Sequence, residues 1–201
     1  MNAGSQFNMI EARTALGTET YWGGTTDPAT HDPSKFRYLV HMDNGISPEN
    51  PQGARMIQEN QAKLGQYYVD NLAELALADI VSGSLISHSH QKTFKGRMGL
   101  ILDVPAVDII VSSDRDVYSS YSSRLQSAIN DIGIMDPDEL LAKSRGYNEV
   151  VFSGENARVA GLLYLLGEWH GKHATGPDFN FAQTKARELD IPLVTLTPQT
   201  R

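Results

Sequence analysis

Apolar and polar positions along the chain fall into a few short runs that read as strands, separated by stretches of helical periodicity. Phe36-Arg37-Tyr38-Leu39-Val40-His41-Met42 alternates with period two, so Phe36, Tyr38 and Val40 share one face and Arg37, Leu39 and His41 the other. Gly99-Leu100-Ile101-Leu102-Asp103-Val104 is continuously apolar up to its aspartate and is closed by Pro105, the pattern of a central, buried strand. Residues 107–111 carry the apolar character on into Ser112-Ser113; two strands, or one with a bulge, fit equally. Tyr147-Asn148-Glu149-Val150-Val151-Phe152 predicts a strand with Glu149 on the face of Tyr147 and Val151. Residues 158–166 and 191–196 are further strands, and 81–90, dense in hydroxyls, is a strand or the loop leading to one.

Helical spacing governs residues 54–80, where Met56, Ile57, Leu64, Tyr67, Tyr68, Leu72, Leu75 and Leu77 recur and Gly65 offers a point of division. A short amphipathic helix is expected over 124–132. Asp136-Pro137-Asp138-Glu139 opens another, with Asp136 as N-cap, Pro137 at the first helical position and the acids at its positive end, running to Gly146. A last helix over 181–189 feeds the final strand. Residues 44–53 hold three consecutive turn signals and 171–178 reads as a late loop. Residues 1–34 read as an arm carrying an aromatic anchor at Tyr21-Trp22 and contributing no core, with 35–201 as a single domain.

Composition narrows the chemistry. The 201 residues, 40% hydrophobic and 20% charged, are those of an ordinary globular domain. A formal charge of -7, from 17 basic and 24 acidic residues, argues against broad binding to nucleic acid or to an anionic membrane. With no cysteine, disulfides, thiolate catalysis and cysteine-ligated zinc are excluded. No run approaches the roughly 18 apolar residues of a membrane span, and the N-terminus lacks the basic start and apolar centre of a secretory signal. No nucleophile elbow, phosphate loop or dinucleotide fingerprint is present. The histidine pairs His88/His90 and His170/His173 lack a further ligand set and read as solvated surface.

Three features remain: an arginine on the first strand, the serine-rich Ser82-Gly83-Ser84-Leu85-Ile86-Ser87, and a lone carboxylate in a later strand, where an unpaired charge is costly. In this order they resemble the ADP-ribosyltransferase fold in the divergent form of bacterial toxins and effectors, over residues 36–196. The resemblance implies an α+β fold, a split β-sandwich with N-terminal helices packed on the sheets. It implies NAD as co-substrate and transfer of ADP-ribose to a host protein. Glu149 would be catalytic, Arg37 would bind the pyrophosphate with His41 beside it, and Ser84 or Ser87 would orient the carboxylate. Tyr38, Tyr118 or Tyr121 would stack on nicotinamide. The protein would then be a monomeric secreted effector acting in the host cytoplasm, with a protein partner and neither nucleic acid nor membrane span. Tyr147 stands where arginine-modifying members carry a second acid, which argues against an arginine acceptor, and Ser-Gly-Ser stands where Ser-Thr-Ser is common. Both departures also suit an inactive effector of the same fold that binds a host protein through its cleft. A third reading is a different enzyme, such as a hydrolase with His41 or His88 as base.

Overall fold

The computed structural model describes residues 21–23, 26–43, 80–93, 97–115, 133–154, 156–166, 168–169, 172–173 and 176–197. The helices expected over 54–80 and 124–132, together with Tyr118 and Tyr121, lie outside these residues. Among the described residues are nine strands: β1 Arg37–Asp43, β2 Ile80–Ser87, β3 Met98–Asp103, β4 Ile109–Ser113, β5 Glu149–Ser153, β6 Arg158–Leu165, β7 Glu168–Trp169, β8 Lys172–His173 and β9 Leu193–Leu196. Seven form one sheet in the order β4-β5-β2-β1-β3-β6-β9, while β7 and β8 pair only with each other. Every neighbouring pair in the large sheet is antiparallel except β6 and β9. With helices α1 (Pro137–Lys143) and α2 (Gly176–Glu188), this mixed sheet is an α+β arrangement.

Each face of the sheet carries its own core. Tyr38, Val40 and Met42 pack with Ile86, Ile101 and Leu163 on one side; Leu39, Leu85, Leu100, Val150 and Phe152 cluster on the other with Leu140 of α1 and Ala182 of α2. Being covered on both sides is why β3 shows no alternation: all six of its residues are buried. Trp22 corrects the expectation that the first 34 residues add nothing to the core. It is 6% exposed within the second cluster, and its backbone N–H donates to the Val104 carbonyl at 3.0 Å.

Residues 106–113 also resolve an ambiguity. A single 3-10 turn, Ala106–Asp108, redirects the chain so that β4 becomes the far edge of the sheet, separated from β3 by β1, β2 and β5. Helix α1 begins as the sequence predicts, with Asp136 Oδ1 accepting from the Asp138 and Glu139 N–H groups, but it stops at Lys143, where the Ser144 hydroxyl donates to the Leu140 carbonyl at 2.6 Å. Helix α2 starts earlier than expected, inside the stretch read as loop. Its Pro177 occupies the first turn, where a missing N–H costs nothing, and Asp178 lies at its positive end.

One property of the ladder pattern bears on the site. The β1–β2 ladder runs from Arg37↔Ser87 to Val40↔Ser84 and ends there. Beyond it, β1 continues on β3 as far as Asp43, while the first half of β2, Ile80 to Gly83, pairs with β5 instead. β2 therefore exchanges partners at Gly83-Ser84, from β5 to β1, while β1 keeps β3 along its other edge from Leu39 to Asp43. Gly83 is needed at this junction because a Cβ there would stand 2.9 Å from the Val40 carbonyl oxygen.

Candidate functional site

Glu149 opens β5, between the pairing with β4 on one flank and the end of the β2 ladder on the other. Ser113 of β4 is its register partner on one flank. On the other, the ladder with β2 runs from Gly83↔Val150 towards the strand end, and the side chain of Asn148 takes over two residues beyond that pair. Its Oδ1 accepts from the Leu85 N–H at 2.8 Å and its Nδ2 donates to the Leu85 carbonyl at 2.9 Å. A primary amide presents the same donor and acceptor as a peptide group, so Asn148 prolongs the ladder from its side chain.

Alternation from the Ser82↔Val151 pair puts the Glu149 side chain on the face of Ser82. The Ser82 hydroxyl donates to Glu149 Oε1 at 2.5 Å, and the Tyr147 hydroxyl lies 3.4 Å from the same Ser82 oxygen. Ser82 also meets His41, whose Nδ1 is 2.7 Å from the Ser82 carbonyl oxygen. A carbonyl only accepts, so Nδ1 carries the proton of this bond. His41 sits where β1 and β2 no longer pair, and both His41 and Glu149 are 2% exposed. The arrangement offers an oriented carboxylate and a hydroxyl polarised by it, with an imidazole held by the backbone carbonyl of the same serine.

The five residues singled out from the sequence thus fall into two groups. His41 and Glu149 come together through Ser82. Ser84 is buried, opposite Val40, on the face of Ser82. Arg37 and Ser87 are elsewhere: they pair with each other at the far end of β2, five residues or about 16 Å along the strand from Ser82, and on the opposite face. Arg37 NH1 donates to Asp138 Oδ1 at 2.5 Å, and Ser87 Oγ lies 3.1 Å from Ser89 Oγ and accepts from the His90 N–H. The expected convergence of Arg37, Ser84 and Glu149 on one cleft is therefore not formed, and Ser82, rather than Ser84 or Ser87, holds the carboxylate. The sequence places Ser82 and Ser84 in the same alternation, and only the register with β5 selects between them.

Tyr38, one of the rings expected against nicotinamide, is fully buried. It stacks on Phe36 with centroids 5.1 Å apart, and its hydroxyl is 2.8 Å from His31 Nδ1. Burial pushes that hydroxyl up to about 12, with the charge of Asp27 adding to the effect, while burial lowers His31. Both shifts favour the neutral phenol and the neutral imidazole, so the contact is a hydrogen bond between uncharged groups. His88 is exposed, and burial lowers His90, whose ring is half-buried. Among the described residues no group of three or more His, Asp or Glu side chains is placed to hold a metal ion.

Removing the Ser82 hydroxyl tests the arrangement directly. Ser82→Ala takes away a hydrogen bond to a buried carboxylate and should lower stability by about 1–3 kcal/mol, read as a lower urea midpoint at unchanged slope. An unshifted midpoint would show that this hydroxyl does not hold Glu149. A comparison of the chain with family models, curated proteins and solved structures finds no match.

Proposed function

We propose that the protein is a NAD-consuming mono-ADP-ribosyltransferase that modifies a protein of a host cell, with Glu149 as its catalytic carboxylate. The observation that carries this reading is the 2.5 Å bond from Ser82 to a Glu149 that is 2% exposed. Breaking the bond between nicotinamide and ribose develops positive charge on the sugar, and a carboxylate fixed in a site of low water content stabilises that charge without reorganising. Ser82 supplies the orientation. His41, bonded to the same serine through Nδ1, is the binding residue of the expected set that stands beside the carboxylate in place of Arg37. Arg37 has no part in this version of the site, and Tyr147 argues against arginine as acceptor, since the position lacks a second carboxylate.

The test is transfer of label from NAD to protein in a cell extract. Glu149→Gln, which keeps the size of the side chain and removes its charge, should reduce incorporation by about 100-fold or more, the scale of losing one preorganised electrostatic group. Label transfer surviving the substitution would remove Glu149 from the mechanism. A second reading, the inactive effector that binds a host protein through its cleft, is favoured by the pairing of Arg37 with Asp138 away from Glu149. Calorimetry separates the two, because that reading expects no heat on adding NAD to the intact chain.

A further inference from the structure

Arg37 and Ser87, left out of the Glu149 site, line a cavity of about 510 Å³ with Lys35, His88, Ser89 and Asp138. That size lies within the range of small-molecule sites. Its position is the opposite face and far end of β2 from Ser82, so it is a separate place on the molecule. In a chain of net charge -7 it gathers an arginine, a lysine, an imidazole and two serine hydroxyls.

Arg37 is the fixed member. Its backbone N–H donates to the Thr26 hydroxyl and its carbonyl accepts from the Thr26 N–H, each at 3.0 Å, and β1 pairs it with Ser87. The guanidinium presents five N–H donors, of which NH1 meets Asp138. That carboxylate is 85% exposed against 29% for the arginine, the setting in which an ion pair contributes little and exchanges readily. An incoming group needs more charge and more acceptors than one carboxylate to replace it. A phosphate monoester brings close to two negative charges and three acceptor oxygens, and its planar face of oxygens suits the guanidinium fork.

We propose that this cavity is a binding site for a phosphate monoester, which takes Arg37 from Asp138 and accepts further hydrogen bonds from the serine hydroxyls beside it. The inference stands on the cavity and the ion pair and does not depend on the transferase reading.

The experiment follows backbone amide shifts of the full chain while inorganic phosphate, O-phosphoserine and a phosphoserine peptide are added in turn. Saturable shifts at Arg37 and Ser89 are expected, with affinity falling by about tenfold or more in Arg37→Gln. In Asp138→Asn the competing carboxylate is gone, and affinity should rise by about two- to fivefold. A peptide that binds more tightly than O-phosphoserine identifies a phosphorylated protein as the source, and equal affinities identify a small phosphorylated compound. Absence of saturable shifts, equal binding by Arg37→Gln, or weaker binding by Asp138→Asn overturns the proposal. The asparagine variant keeps it testable, since it changes an exposed side chain and predicts a gain.

Discussion

Asn148→Ala is expected to destabilise the domain by about 2–6 kcal/mol, the upper part of which would unfold a domain at the lower end of ordinary stability. The residue is fully buried, and truncation would strand two backbone groups of β2, the Leu85 N–H and carbonyl, in a dry interior. Each stranded group costs about 1–3 kcal/mol, which outweighs the ordinary loss of a surface hydrogen bond. Urea unfolding of the two proteins measures the difference, and a change below about 1 kcal/mol would mean that another group or water replaces the amide.

Asn148→Asp gives the same site a pH dependence of known sign. The ionised side chain accepts from the Leu85 N–H but faces the Leu85 carbonyl with a second acceptor; the protonated form donates to that carbonyl as the amide does. Burial and the carbonyl both disfavour the charge, so the folded-state pKa of the introduced acid lies above its unfolded value. The deficit relative to the natural protein should then be smallest below the unfolded pKa and grow as pH rises through the folded one.

Gly99→Ala is the second large effect. A Cβ at this position of β3 would stand 2.5 Å from Met42 Sδ and 2.6 Å from the His41 carbonyl oxygen. The thioether can rotate away, but the carbonyl belongs to the β1–β3 ladder, in which Met42 pairs with Gly99 itself. Strand separation must increase locally, at a cost of about 1–3 kcal/mol or more. Gly83→Ala, with its nearest contact at 2.9 Å, should cost less, and Gly146→Ala, which meets nothing within 4 Å, should be nearly neutral. Thermal midpoints that fail to fall in that order would show that β3 can yield without strain. The alanine at position 99 also displaces the backbone of His41, so it should disturb the Glu149 site from the opposite strand.

Local chemistry made much of the scaffold legible. The alternation over residues 36–42, the uninterrupted apolar run of β3 and the Asp136-Pro137 helix start each act through neighbours in the chain, and each was readable from one sequence. Sheet order was not readable, because it depends on pairings such as Ser82 with Val151. The same gap explains the site. Arg37 and His41 share a face by simple alternation, which suggests a common role, but the β1–β2 ladder ends at Val40, so Arg37 stands beside Ser87 while His41 meets the Ser82 carbonyl. The partner that occupies Arg37 lies 101 residues away on a different element, and no pattern in the chain announces it. Helix α2 was cut short for a local reason: Gly176-Pro177 reads as a loop until a following turn of helix is seen to accept it.

The exchange of partners at Gly83 and Ser84 divides the large sheet into two mechanical units that share a single strand. One unit is β4, β5 and the first half of β2; the other is β1, β3, β6 and β9 with the second half of β2. Rotation of one against the other about the Gly83-Ser84 peptide would leave the ladder hydrogen bonds within each unit intact but would break the two bonds from Asn148 to Leu85, which cross the joint. The bond from His41 to the Ser82 carbonyl spans that joint as well, so the imidazole from one side and the Asn148 amide from the other fasten the two units where Glu149 is enclosed.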